Sequence, residues 1–437
     1  MRADYPAAAL GVTKTHPTTI SGWRHMWFVE EGDILVVPAF IEQDFLHYVG
    51  ETMGVDTSTV LVLTRDDILS DEVILSPDFV GELQSLLGKA RRSTPWRLMP
   101  CFFTEGAAEL ASLVNVEAGP AQQFAGQRGP VLLNRKSHFR QLAIGAGLPL
   151  PQGCIATSLT TLTRAVERLL PVTGTVIVKG DNAAGGKGNI ALTTHPITRP
   201  LAGTRETRPI DSDDVGGAAA DVWEALKAQE VLVVESYHEA RHMFYFEFFI
   251  DDRHAVRFAT SGSIRLETSP TPQAKDLVWV GLDIPVDLPP FALGNAVTEA
   301  AKFARCAADL GYQGYINIDA ILTSSGELFF NESNARWGGG TIMHAISERL
   351  LGPCYADDHA VSSLRDVPPV PLDQVLALLR KHRIAFDPAT GEGVIVLACD
   401  PDRTNMMECL VLSHSLAENR KIEMVLRKEI DVLRSAA

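Results

Sequence analysis

"GYINIDAILTSSGELFFNESNARWGGGT", Gly314 to Thr341, sets two apolar, strand-like runs around a polar turn and places charge where burial is expected. Asp319 sits inside the first run, and Glu332, Asn334 and Arg336 fall within five residues at the end of the second, ahead of three glycines. Side chains of a strand alternate between faces, so Asn317 and Asp319 share one face, as do Glu332, Asn334 and Arg336. The turn "TSSG" folds the two runs into a hairpin, and Asp319, Glu332 and Asn334 then converge as three hard oxygen ligands. That donor set suits Mg2+ held jointly by carboxylates and substrate phosphates. Arg336 stands beside it as an anion or oxyanion stabiliser. A plain salt bridge between Arg336 and one carboxylate would account for two of the charges and leave Asn334 and the glycines without a role.

Upstream, "VIVKGDNAAGGKGNIAL", Val176 to Leu192, ends an apolar strand on Lys179 and follows it with a loop holding Gly185, Gly186, Lys187 and Gly188. Glycines let backbone N–H groups turn inward as an anion nest, and a strand-borne lysine gives phosphate oxygens a fixed positive charge. No GK[ST] opens a helix here, so the loop is not a Walker A element. A Gly-rich hairpin with a solvated lysine is the plainer alternative. Between this loop and the hairpin, the apolar run from Val231 breaks at Glu235 into "ESYH", Glu235, Ser236, Tyr237 and His238. An extended connector presents alternating C=O and N–H groups, the pairing a purine edge needs, with Arg241 and His242 in reach of ribose or phosphates. Taken alone, Glu235 ending an edge strand in a solvated polar cluster is the competing reading.

The 437 residues exceed what one core supports, so several domains are expected. A formal charge of -15 weighs against nucleic acid and anionic membranes as partners. The six cysteines have no CxxC spacing, and no apolar run approaches the ~20 residues of a membrane span, which together point to a cytoplasmic protein. "DILVVPAF" and "TVLVLT" with a helical pattern between them predict an α/β domain over residues 1–130 without a GxGxxG fingerprint. Residues 131–237 read as a compact α+β lobe, opened by a helix that Asn134 can cap. Residues 238–365 read as long antiparallel strands backed by a helix, and residues 366–437 as a small helix, strand, helix appendage.

In this order the motifs resemble the ATP-grasp superfamily, over roughly residues 130 to 345. Lys136 of "NRKSHF" and Lys179 match its two phosphate lysines, "ESYH" its hinge, "RH" at Arg241 and His242 its biotin carboxylase version, and Asp319 with "ESNAR" its metal site. The preceding region looks like a pre-ATP-grasp domain. "GDILVVPAF" and "NESNARWGGGT" are similar to peptide ligases of the pheganomycin type. "RKSHF" departs from the usual "DK" opening, and the segment beyond 365 matches no pattern of the superfamily.

The resemblance implies an α/β and α+β architecture, with the nucleotide between two lobes. It implies ATP-dependent amide formation through an acylphosphate, with two Mg2+ ions on Asp319, Glu332 and Asn334. Lys136 and Lys179 would hold phosphates together with Gly185, Gly186, Lys187 and Gly188, under a lid formed by the loop from Asp181 to Asn189. Glu235, Ser236, Tyr237, His238 and His242 would contact the nucleoside. Arg336 and Lys179 would act in catalysis, while Arg265, Gly338, Gly339 and Gly340 would meet the substrate. Arg257 is a further phosphate or carboxylate candidate, with a solvated strand arginine as its alternative. The expected partners are a carboxylic or amino acid and a peptide or amino-acid amine, with a homodimer left open. A carboxylase-like or small-metabolite ligase, or an ATP-binding regulator without catalysis, are the rivals.

Overall fold

In a computed structural model, the described residues are 2–3, 19–38, 42–65, 69–89, 94–116, 121–182, 188–227, 229–268, 277–400 and 406–435. Three sheets follow one another along the chain. The first is parallel, in the order β3-β2-β1-β4, from β1 (Arg2–Ala3), β2 (Ile34–Val37), β3 (Leu61–Thr64) and β4 (Met99–Pro100). All four β2 residues are buried, as expected of a strand covered on both faces. The helix Gln43–Met53 buries Phe45, Leu46, Val49 and Met53, a stripe at helical spacing, and stops at Gly54 in the left-handed region.

The second sheet runs β5-β9-β6-β7-β8, from β5 (Gly153–Ala156), β6 (Thr175–Gly180), β7 (Asn189–Thr193), β8 (Glu206–Pro209) and β9 (Leu232–Ser236). Val176, Val178, Ile190, Leu192, Leu232 and Val234 pack against the helices Leu159–Thr173 and Val215–Ala225. Strand alternation therefore turns Ile177, Lys179, Val233 and Glu235 to the face opposite those two helices. The β9 strand is interior, so Glu235 does not end an edge strand.

The third sheet is antiparallel and eight-stranded, β14-β13-β10-β11-β12-β15-β17-β16. Its strands are β10 (Ala240–Ile250), β11 (Val256–Thr268), β12 (Leu277–Ile284), β13 (Gly314–Thr323), β14 (Leu328–Asn334), β15 (Ala360–Val367), β16 (Gly393–Asp400) and β17 (Met406–Ser413). Phe244, Phe246, Phe248, Ile316 and Ile318 pack on Ala300, Phe303 and Ala304 of the helix Pro290–Asp309. Each fully buried aromatic of this kind contributes about 1.5–3 kcal/mol of transfer free energy.

The expected C-terminal appendage is corrected here. A boundary at 365 falls inside β15, and β16 and β17 extend the third sheet instead of forming a unit of their own. One apolar core joins Ile395, Val396, Leu410 and Leu412 to Trp23, Trp27 and Phe45 of the N-terminal region. The Trp27 indole donates to the Leu397 carbonyl at 2.9 Å, and the Val396 amide to the Tyr48 hydroxyl at 3.0 Å. The two strands pair with each other, and their apolar faces are covered by partners distant in sequence. Asn134 is also corrected: Arg135 holds the N-cap position of the helix Lys136–Gly145, and Asn134 ends the helix before it. Among the described residues, no helix is long and apolar enough to cross a membrane.

Candidate functional site

The face of β10, β13 and β14 turned away from the helix Pro290–Asp309 carries two rows of polar side chains fixed by register. Tyr245, Asp319 and Glu332 stand opposite one another in one row, and Glu247, Asn317 and Asn334 in the next. The expected hairpin forms: the amide of Glu327 donates to Thr323 Oγ1 at 3.0 Å, and Gly326 takes φ 84° in the turn. Lys136 Nζ lies 2.6 Å from Glu332 Oε2. Burial opposes ionisation of Glu332, but Lys136, Lys179 and Arg336 outweigh it and hold the carboxyl below its ordinary value. Burial, then the facing Glu332, push Asp319 well above the usual carboxylate range, against the pull of Arg336 and Lys136. Two carboxyls in one row resist double ionisation unless a cation stands between them.

The donor chemistry fits a hard divalent cation, because Asp319, Glu332 and the Asn334 amide offer oxygens while Lys136 and Arg336 bracket them with positive charge. Among the described residues no three His, Cys, Asp or Glu side chains form a metal-holding group, so water or phosphate oxygens would have to complete this shell.

Opposite this floor, Lys179 Nζ lies 2.6 Å from Glu235 Oε2, and Arg140 Nη1 donates to Glu235 Oε1 at 2.7 Å. The sequence places Glu235 at the nucleotide hinge; its buried carboxylate pairs with Lys179 and with Arg140. Sequence reasoning passed over Arg140, although its i+4 spacing from Lys136 puts both on one side of their helix. It also missed Asp181, which is buried and accepts from the Lys136 and Ser137 amides at 3.2 Å and 2.8 Å. Asp181 thereby ties the start of the Gly-rich loop to the helix that carries Lys136. Gly185, Gly186 and Lys187 lie outside the described residues, while Gly188 accepts from the Gly180 amide at 2.9 Å and closes the base of the loop.

The connector after Glu235 is extended. The Ser236 and Tyr237 amides are taken by the Gln152 and Thr175 carbonyls at 2.8 Å and 2.9 Å, and Ser236 Oγ meets His238 Nε2 at 3.1 Å. Burial lowers His238 below its ordinary value, so the ring is neutral at physiological pH. A cavity of about 560 Å³ opens beside the connector, lined by Thr175, Thr193, Tyr237, His238, Thr323 and Glu327. His242 lies opposite Leu322 across β13, and Arg241 is exposed.

Arg336 is followed by a joint between the N-terminal region and the third sheet. The Trp337 amide donates to the Cys101 carbonyl at 3.1 Å, and its ring stacks on Phe28 at 4.5 Å. Asn134 accepts from the Ala335 amide at 3.1 Å and donates back to its carbonyl at 3.3 Å, fixing the residue between Asn334 and Arg336. The three glycines differ in setting. A Cβ on Gly340 would come 2.4 Å from the Tyr245 ring and one on Gly339 3.3 Å from Leu282, whereas Gly338 faces open space.

Arg265, expected to meet substrate, is committed elsewhere. Its guanidinium donates twice to Glu423 of the C-terminal helix, at 3.0 Å each. Arg257 lies over the Phe249 ring and 3.7 Å from Asp251, outside the charged rows.

Residues 22–116 match the family model of the Pre ATP-grasp domain. Biotin carboxylase from Campylobacter jejuni, solved with beta-gamma-ATP, superposes with a TM-score of 0.57 at 12% identity, over 96% of this chain and 88% of that one. N5-carboxyaminoimidazole ribonucleotide synthetase from Thermus thermophilus gives 0.57 at 10% identity over 98% of each chain. The chain has an ATP-grasp fold behind a pre-ATP-grasp domain. N5-carboxyaminoimidazole synthase from Aspergillus clavatus, solved with ADP and 5-aminoimidazole ribonucleotide, shares this ATP-grasp architecture at a TM-score of 0.54 and 14% identity, over 94% and 100% of the two chains. A search of curated protein sequences returns no match.

Proposed function

We propose that the chain is an ATP-dependent carboxylate–amine ligase that forms an amide bond through an acylphosphate and releases ADP and phosphate. The observation that carries this reading is the Asp319–Glu332 pair between Lys136, Lys179 and Arg336, a charge arrangement made for phosphoryl groups and a divalent cation. In this reading the substrate carboxylate attacks the γ-phosphorus of ATP, and ADP leaves. The amine then attacks the acyl carbon, phosphate departs with the C–O bonding pair, and the amine loses a proton. Lys136 and Lys179 hold phosphate oxygens, and on ATP entry the two lysines turn part of their contact from Glu332 and Glu235 to those oxygens. Arg336 offsets negative charge on the acylphosphate and on the tetrahedral oxyanion. Asp181 and Gly188 fix the two ends of the Gly-rich loop next to Lys179, Asp181 through the helix that carries Lys136, and exclusion of water there protects the activated acyl group. Mg2+ held by Asp319, Glu332 and Asn334 would supply charge neutralisation of the transferring phosphoryl group.

Within this class we place the acid as an amino acid and the amine as that of a peptide or amino acid, on the strength of the "NESNARWGGGT" resemblance, with the open backbone at Gly338 as the place for the substrate. Carboxylation is the second reading, favoured by the "RH" pair and by the carboxylase among the similar structures. Release of ADP from ATP and Mg2+ is screened against amino acids with short peptides and, separately, against bicarbonate, with mass spectrometry of the products. Amine-dependent turnover with an amide product supports ligation. Bicarbonate-dependent turnover supports carboxylation, and nucleotide binding with no turnover in any arm overturns both.

A further inference from the structure

Glu247 has no part in the steps above, yet it occupies the second polar row of the site, beside Asn317 and Asn334. It is fully buried. One carboxylate oxygen accepts from Thr341 Oγ1 at 2.7 Å, and the other from Asn317 Nδ2 at 3.3 Å. Thr341 Oγ1 in turn accepts from the Gly338 amide at 2.9 Å. A continuous chain therefore runs from the Gly338 amide, through the threonine hydroxyl, to a carboxylate in the row next to Asp319 and Glu332. Gly338 is the one glycine of its trio with open space before it, so this chain sets the backbone that would face the acyl group.

We infer that Glu247 is a positioning residue of the reaction centre, which through Thr341 locks the Gly338 turn and through Asn317 steadies the row that ends on Asn334. The inference rests on the ligase reading for its chemistry, but the lock itself is a statement about geometry. A buried carboxylate is costly, and an apolar side chain in its place would fill the same volume without that cost. Burial pushes Glu247 up to about 7, against the hydrogen bonds from Thr341 and Asn317 and the charge of Arg336. The other groups facing it are Tyr245 on its own strand, Tyr312 just before β13, Tyr315 within it, and Tyr355, each raised by burial and by Glu247 itself. The positive charge of Arg336 acts on Glu247, and the lock joins the turn after Arg336 to that carboxylate.

The test uses the full chain and the variants Glu247→Gln, Thr341→Val and Thr341→Ser. Amide hydrogen exchange over 337–341, affinity for MgADP, and kcat and KM for MgATP hydrolysis are measured on each. Glu247→Gln and Thr341→Val are expected to speed exchange at 338–341 at least tenfold and to lower kcat at least tenfold. KM for MgATP and the MgADP affinity should stay within twofold, because Lys136 and Lys179 are untouched. Thr341→Ser, which keeps the hydroxyl, should recover what Thr341→Val loses. Wild-type exchange and kcat in Glu247→Gln overturn the inference. Equal losses of kcat, MgADP affinity and global exchange protection also overturn it, because they describe an ordinary core residue. A wild-type chain that neither binds MgADP nor turns over MgATP overturns the ligase reading instead, and exchange at 338–341 still decides the lock.

Discussion

Two clusters of partly buried charge lie on the third sheet, and they are built on opposite plans. Around β11, β12 and the C-terminal helix Leu416–Ser435, Arg265 and Arg420 face Glu423 and Asp283. Arg265 is bidentate to Glu423 at 3.0 Å, and Arg420 pairs with Asp283 and with Glu423 at 2.5 Å. Each charge there has an opposite partner supplied by the chain. On β13 and β14, Asp319 faces Glu332 in register, and burial with that neighbour drives Asp319 toward protonation. A closed network holds structure together, whereas on β13 and β14 Lys136 pairs with Glu332 and Asp319 is left facing a like charge, the arrangement we read as a place for a cation and phosphates. The difference separates a structural ion cluster from a candidate reaction centre without reference to any relative.

Arg336→Ala and Glu332→Ala break the second plan, and they carry the largest expected effect. Loss of Arg336 should lower turnover about 10²–10³-fold, the usual size for removing a group that stabilises an oxyanion. The fold should persist in both variants by circular dichroism and thermal melting. Wild-type turnover in either variant would remove these residues from the site.

Glu423→Ala breaks the first plan and should show the reverse signature. Leaving Arg265 partly buried without its bidentate partner is expected to destabilise the chain by about 3–5 kcal/mol in urea unfolding, with MgADP affinity unchanged. A variant as stable as wild type would mean that the C-terminal helix is held by apolar packing alone.

Sequence pattern anticipated the hairpin geometry of the candidate site better than it anticipated this network, and the reason is distance along the chain. Asp319, Glu332 and Asn334 share a hairpin, so strand alternation alone set them on one face. The same alternation placed Glu247 there too, but an isolated carboxylate in "HMFYFEFFID" carries no signal until β10 is known to pair with β13. Arg265 was misplaced because Glu423, its partner, lies 158 residues away. The grip of Arg140 on Glu235 went unread because nothing local to Glu235 announces a partner 95 residues upstream. The tail read as an appendage because β16 and β17 pair mainly with each other, while β15 joins them to β12 through two register pairs.

A third ion cluster joins the N-terminal region to the tail and answers to pH. Arg24 pairs with Glu408 on β17, and Arg365, stacked 4.1 Å over Trp279, lies 3.6 Å from the same carboxylate. Burial alone would raise Glu408, but Arg24 and Arg365 outweigh it and hold it below its ordinary value of 4.5. A carboxylate depressed on folding contributes stability above its unfolded value, and that contribution is lost as pH falls through the folded one. Thermal stability should therefore drop below about pH 4.5, and the drop should be shallower in Glu408→Gln. An identical acid limb in the variant would assign it to other carboxylates.

The smallest effect is expected where the two plans meet the open backbone. Gly340→Ala would drive a Cβ to 2.4 Å from the Tyr245 ring, in a slot closed on its other side by Gly262, and should destabilise the chain by about 1–3 kcal/mol through overpacking. Gly338→Ala meets nothing within 4 Å and keeps an extended φ of -124°, so its stability should change by less than about 0.5 kcal/mol. Its methyl would project into the space assigned to the acid. KM for the acid that supports turnover should rise several-fold in Gly338→Ala while MgADP affinity is unchanged. An unchanged KM there would move the acid away from Gly338.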